Sequence, residues 1–153
     1  MVYDNIHFVR GTIINDSELR RLAQSNKSTA ETIISNYNEE IKGGHKEFSS
    51  EWWQAFYDHF TYTEVLSSLN DQLDHGVSIH HWKCCSELSE LQYIVGVIYH
   101  EVSIDEIFNK TSIVPDLPSS VVDRNIQKTL AELEIENTRL ISVIMLDDCI
   151  HCT

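Results

Sequence analysis

Positive charge is what this chain most lacks. Eleven Lys and Arg stand against 24 Asp and Glu, a formal net charge of −13. The basic footprint that tracks a phosphate backbone is missing, so direct nucleic-acid binding is not expected. Glycine and proline are scarce too, at 5 and 2 in 153 residues, which excludes collagen-like and linker-like compositions. The two prolines, Pro115 and Pro118, fall together, leaving one segment that reads as an extended connection. The longest mostly apolar stretch, Tyr93 to Tyr99, is far below the roughly 20 residues of a membrane span. The first fifteen residues hold no basic region followed by an apolar one, so no secretory leader is expected. Cysteine occurs four times, at Cys84, Cys85, Cys149 and Cys152, too few and too clustered for a secreted disulfide scaffold. The reading is a soluble intracellular protein with reduced thiols.

Catalytic signatures are missing as well. The chain has no H-E-x-x-H, no H-x-H, no serine nucleophile elbow and no phosphate-cradling glycine loop. The acidic excess is not gathered into a tail: residues 1–76 carry 12 acids and 6 bases, residues 77–153 carry 12 and 5. An even spread of this kind is what a solvated surface requires. An acidic nucleic-acid mimic remains as an alternative, and it needs the charges to collect on one face.

What is present is a good core. The chain is 42% hydrophobic, and a domain of its size buries roughly 70% of its unfolded surface, so residues 1–153 are expected to form a single globular domain. Ile6 to Ile14 reads as a strand from its β-branched residues, with Gly11 marking a bulge or a close backbone approach. Asp16 then caps a short helix to Gln24. Ser28-Thr29-Ala30-Glu31 has the spacing of a capping box, opening a helix with Ile33, Ile34, Tyr37 and Ile41 on one face. From Ser50 to Leu73 a stripe of Trp52, Trp53, Phe56, Tyr57, Phe60, Leu66 and Leu69 reads as core-facing helix, broken near Thr61-Tyr62-Thr63. Val77 to Trp82 is a short strand and Tyr93 to Val102 a central one, apolar on both faces at its start. A second capping box, Ser103 to Glu106, opens a short helix. Ser119 or Ser120 caps another with Val122, Ile126, Leu130 and Leu133 on one side. Arg139 to Leu146 is the last strand, again apolar on both faces.

Strand, helix and strand over residues 93–146 have the length of a βαβ crossover. The fold expected is α/β or α+β: a mixed sheet of three to four strands with helices packed against it and a C-terminal βαβ unit.

Two spots collect reactive groups. Cys149-x-x-Cys152 has the spacing of half a zinc site, and Cys84 and Cys85, with His81 just upstream, would be the remaining ligands. Adjacent cysteines make an awkward second half, because neighbouring side chains diverge in regular structure. Redox chemistry at Cys149 is disfavoured by Asp147 and Asp148, which hold a thiol protonated. The second spot follows from the βαβ reading. If the strands at 93–102 and 139–146 are parallel, their carboxyl ends bring Glu101, Asp105, Asp147 and Asp148 to one edge, where open α/β sheets bind ligands. Trp52 and Trp53 offer an interface if the aromatic stripe is wider than one core face.

The expected function is a non-catalytic one, through a protein partner or a homo-oligomer, with no membrane and no cofactor. The alternative is a small zinc-binding or thiol-dependent protein built on the four cysteines.

Overall fold

The computed structural model describes residues 5–37, 44–59, 62–83, 91–103 and 118–146, and the chain folds as two compact units, one of Met1–Asp16 and Leu73–Cys152 and one of Ser17–Gln72.

Among the described residues the first unit is a four-stranded sheet with one helix. Its strands are β1 (Asn5–Asn15), β2 (Ser78–Lys83), β3 (Gln92–Ser103) and β4 (Ile141–Leu146), in the order β2-β3-β1-β4. Every neighbouring pair is antiparallel. The strands expected at 93–102 and 139–146 do run in the same direction, but β1 lies between them. The sheet is therefore antiparallel rather than mixed, and no adjacent parallel βαβ unit forms. The reason is that β1, 80 and more residues distant in sequence, supplies antiparallel partners to both strands at once. The fold is mixed α+β, with a four-stranded antiparallel sheet.

One helix, here named α5 (Ser120–Glu132), belongs to this unit and packs on β1 and β3. Ser119 caps it by accepting the Val122 amide on its hydroxyl. Ile126, Thr129 and Leu130 turn inward, and a bidentate pair from Arg10 to Asp123 at 3.1 and 3.3 Å ties the helix to β1. Because strand side chains alternate, Arg10 identifies the sheet face that α5 covers. Thr12, Ile14, Ile79, Tyr93 and Val95 share that face and are buried. Each large apolar residue so buried contributes about 1.5–3 kcal/mol.

The helix ends in a Schellman motif. The Ile135 amide bonds the Leu130 carbonyl at 2.9 Å and the Glu134 amide that of Ala131 at 3.1 Å. Glu134 takes a φ of 55°, the left-handed conformation that such a position demands and that glycine adopts most easily.

Gly11 and Gly96 face each other across β1 and β3. A Cβ on Gly11 would lie 2.3 Å from the Val95 carbonyl oxygen, and one on Gly96 2.1 Å from that of Arg10. These obstacles are backbone and have no rotamer to yield. Of the two sequence readings for Gly11, close approach is the one realised. The bulge lies further along, where Tyr99 is the extra residue between the pairs Phe8–His100 and Val9–Ile98.

The second unit is helical: α1 (Asp16–Ser25, its first residue belonging to the sheet unit), α2 (Lys27–Tyr37), α3 (Ser50–His59) and α4 (Tyr62–Asn70). Asn26 caps α2 by accepting the Thr29 amide at 3.0 Å, so the helix starts two residues ahead of the Ser28 capping box. A buried polar contact joins α2 to α4, with Thr29 Oγ1 2.9 Å from Ser68 Oγ. The Gln72 amide side chain donates to the same Thr29 oxygen at 3.0 Å. Ser49 caps α3 through the Trp52 amide, and Phe48, at φ 63°, packs its ring on Trp52 and Trp53. That is a hydrophobic staple across a helix start, and it offsets the cost of a left-handed phenylalanine. The aromatic stripe is carried by two helices, α3 ending at His59 and α4 starting at Tyr62. The helix expected after Ser103 lies outside the described residues.

Two substitutions test the backbone reading. Gly96→Ala is expected to lower stability by about 2 kcal/mol or more, because no side chain can move away. Glu134→Gly is expected to raise it by about 0.5–1 kcal/mol. Urea unfolding of each variant beside wild type measures both, and equal midpoints for all three would contradict them.

Candidate functional site

β4 reads Ile-Ser-Val-Ile-Met-Leu, without charge, proline or glycine. Among the described residues it pairs with β1 alone, which leaves its outer edge as a row of backbone donors and acceptors. Val143 and Met145 turn to the face away from α5, and Met145 is buried. Ser142 and Ile144 share the face of their register partners Arg10 and Phe8. Ser142 Oγ accepts from Arg10 Nη1 at 3.3 Å, so one guanidinium joins helix, central strand and edge strand.

Ile144 is 58% exposed and Val121 54%. They are the large hydrophobic side chains most open to solvent among the described residues. α5 runs along β1 in the strand's own direction: Asp123 lies at Arg10. One turn later the Gln127 side chain donates to the Thr138 carbonyl, next to Arg139, whose carbonyl accepts from Thr12.

The opposite edge is different. β2 carries His80, His81 and Lys83 in six residues, and charged or titratable groups are the ordinary protection of a strand edge. β4 has none.

The bulge at Tyr99 creates a second feature. Without the extra residue, His100 would stand opposite His7; with it, Glu101 does. The His7 Nδ1 lies 3.1 Å from the Glu101 carboxylate, and the Phe8 ring is flanked by Tyr99 and His100 at 6.3 and 5.7 Å. His7 is 8% exposed. Partly buried His80 has a pKa lowered from its ordinary value of 6.5, first by burial and then by its electrostatic interaction with His7.

Of the residues named from sequence, Glu101 is at the carboxyl end of β3, and that end does meet the carboxyl end of β4: Ser103 pairs with Asn5 and Leu146 with Ile6. Asp105, Asp147 and Asp148 lie outside the described residues, as do Cys84, Cys85, Cys149 and Cys152. His81 is buried, its ring 5.6 Å from that of Tyr93, whose hydroxyl donates to Asp16 Oδ1 at 3.1 Å. His80 and His81, as strand neighbours, point to opposite faces. The backbone positions that lead into the two cysteine pairs are far apart. Lys83 pairs with Gln92, beside Asn15, whereas Leu146 pairs with Ile6. These are opposite ends of β1, about 30 Å of strand, on opposite edges of the sheet.

Trp52 and Trp53 are 1% and 3% exposed. Trp52 stacks on Phe56 at 5.6 Å and meets Trp53 edge-on at 5.0 Å, while the Arg20 guanidinium lies 5.7 Å from the Trp53 ring centre. Their rings fill a helical core rather than offering a surface. An open hollow of about 390 Å³ beside α3 is lined by His45, Ser50, Glu51, Gln54 and Ala55, and none of the residues singled out from sequence reaches it. Among the described residues no group of three or more His, Cys, Asp or Glu is placed to hold a metal ion, and no helix is long and apolar enough to cross a membrane. The edge at β4 had one sequence signal, its six uncharged residues, but strand order alone determines which strand is outermost.

Comparison of the chain with family models, curated proteins and solved structures gives no match.

The lowered pKa of His80 has a thermodynamic consequence. As pH falls, the unfolded chain takes up this proton before the folded one. Its contribution to stability is complete above the ordinary value of 6.5 and declines as the pH drops below it. Urea unfolding between about pH 7.5 and 5.5 is expected to show a shallower loss of stability in His80→Asn than in wild type. Parallel slopes would show that His80 contributes nothing.

Proposed function

We propose that this chain is a non-catalytic binding protein that receives an extended strand along the outer edge of β4. The observation that carries the reading is an uncharged edge strand with Ile144 more than half exposed at its centre. Natural sheets place lysine, proline or inward charge on edges left to solvent, because an open edge templates further pairing. In strand addition, main-chain hydrogen bonds supply affinity and alternate side chains supply specificity. Ser142 and Ile144 are the alternate positions on the α5 face. Arg10 supports the edge from behind, fixing Ser142 and Asp123 together, so the strand is held in shape before anything binds.

A fluorescein-labelled peptide of residues 138–146 with two added lysines provides the probe. Saturable binding to the full chain is expected, weakened ~10-fold or more by Ile144→Lys in the protein, as lysine on an edge opposes pairing. An unchanged thermal midpoint in the variant confirms that the fold is intact. Absence of binding up to about 1 mM, or binding indifferent to the lysine, would refute the reading.

A further inference from the structure

We propose that the outward face of α5 is a docking surface for a short acidic segment of a partner protein. It is separate from the β4 edge and does not depend on it. Val121, Arg124 and Lys128 stand at positions i, i+3 and i+7 of the helix, one stripe about 10 Å long. All three are exposed, Val121 by 54%. Ile126, Thr129 and Leu130 form the buried side of the same helix, so the stripe points away from the sheet.

In a chain of net −13, these cations are left without anionic partners. Among the described residues neither Arg124 nor Lys128 makes an ion pair, whereas Arg10, Arg21 and Lys27 each do. Asp123, the acid beside Arg124 in sequence, is taken up by Arg10. One turn from Arg124 lie Ser120, Val121, Gln127 and Lys128. None is acidic, and the last is a like charge at i+4, a spacing that opposes the helix. Glu132 follows Lys128 by four residues, the weaker order for such a pair. Neither cation is in the last turn, where the helix dipole would favour it. A third cation adjoins them. The Gln127 side chain donates to the Thr138 carbonyl at 2.9 Å, which brings the backbone of exposed Arg139 to the helix. That backbone is pinned: the Arg139 amide bonds Asn137 Oδ1 at 3.1 Å, and its carbonyl accepts the Thr12 hydroxyl at 2.7 Å. Helix and loop therefore carry the three charges on a backbone already fixed, which lowers the ordering cost of binding.

Charge complementarity calls for an acidic occupant, and the rest of the chain limits its size. Screening confines the field of exposed charges to about 8 Å at physiological ionic strength. A short acidic segment lies within that range of the cations. A nucleic acid or an anionic membrane extends past it, onto a protein of net −13 that repels it. Val121 adds an apolar contact at one end of the stripe. The segment is therefore expected to carry an apolar residue about one helical turn from its acids. Exposed charges of this kind select the partner and speed encounter more than they tighten binding.

Fluorescence anisotropy on the full chain tests this, with a fluorescein-labelled peptide of repeating Leu-Glu-Glu as the probe. Saturable binding is expected, weakened by salt and weakened ~10-fold or more by Arg124→Glu with Lys128→Glu. The control is Lys27→Glu with Lys46→Glu, two exposed positions of the helical unit, which changes the net charge equally without touching α5. It is expected to leave binding within about 2-fold of wild type. Where the α5 reversal lowers the thermal midpoint, Arg124→Gln with Lys128→Gln removes the charges and keeps good helix formers, and a ~3-fold loss is expected. Absence of binding up to about 1 mM, or equal weakening by the α5 and control reversals, overturns the proposal. Binding lost in Ile144→Lys but kept in both α5 variants moves the contact to the β4 edge and overturns it as well. A single-stranded DNA or phosphatidylserine vesicles bound more tightly than the peptide, and released by the α5 reversal, would replace the acidic segment with a polyanion.

Discussion

The structure of the sheet unit depends on β1 being bonded on both sides. Its eleven residues pair with β3 along their full length and with β4 over six, and each neighbour takes its position from this one strand. The approach to β3 is close enough that two glycines must face each other, with the carbonyls of Arg10 and Val95 occupying the space of any Cβ. From Arg10, one residue before Gly11, the guanidinium reaches both Asp123 on the helix and Ser142 on the edge strand. Central strand, covering helix and outer strand are therefore fixed within a few residues of one another. The open edge of β4 is a consequence of that arrangement, since inserting β1 between β3 and β4 leaves β4 outermost.

Local features were legible in the sequence, and long-range pairing was not. β3 and α5 declare themselves through apolar periodicity and the Ser119 cap, because those signals are carried by residues within a turn or two. The Gly11 close approach was also readable in kind, since a glycine in a β-branched run has few other uses. The strand order was hidden. Strand, helix and strand at 93–146 have the length of a parallel crossover whether the two strands are adjacent or separated by another, and hydrophobic pattern does not distinguish the cases. β4 shows the cost of this. Its sequence reads as a strand apolar on both faces, yet Ile144 is largely exposed. Apolarity on two faces signals burial for an inner strand and an open contact for an outer one, and only the position of β1 separates them.

The candidate residues divide along the same line. Trp52 and Trp53 were legible in the aromatic stripe as core-facing helix, as their burial shows, whereas Phe48 turning back over them in a left-handed conformation is announced by no propensity. The His7–Glu101 pair depends on a one-residue bulge at Tyr99; alternation alone would have set His100 opposite His7. Chemistry named from sequence spacing, as with the cysteines, presupposes that the strands carrying them end near each other. The register shows that the strands leading to Cys84 and to Cys149 end at opposite ends of β1, a fact that exists only at the level of pairing.

An edge strand of six uncharged residues is a hazard in a free monomer, since short β-prone segments without charge or proline template further strands. Two physical conditions decide whether such an edge assembles without limit or stops at two. An isologous contact about a two-fold axis consumes both edges that form it, so no β4 edge remains for a third copy. Among the described residues the other outermost strand is β2, whose six residues include two histidines and a lysine. A net charge of −13 adds a second restraint. Repulsion grows with every copy added, whereas the gain from β4 is available once per chain.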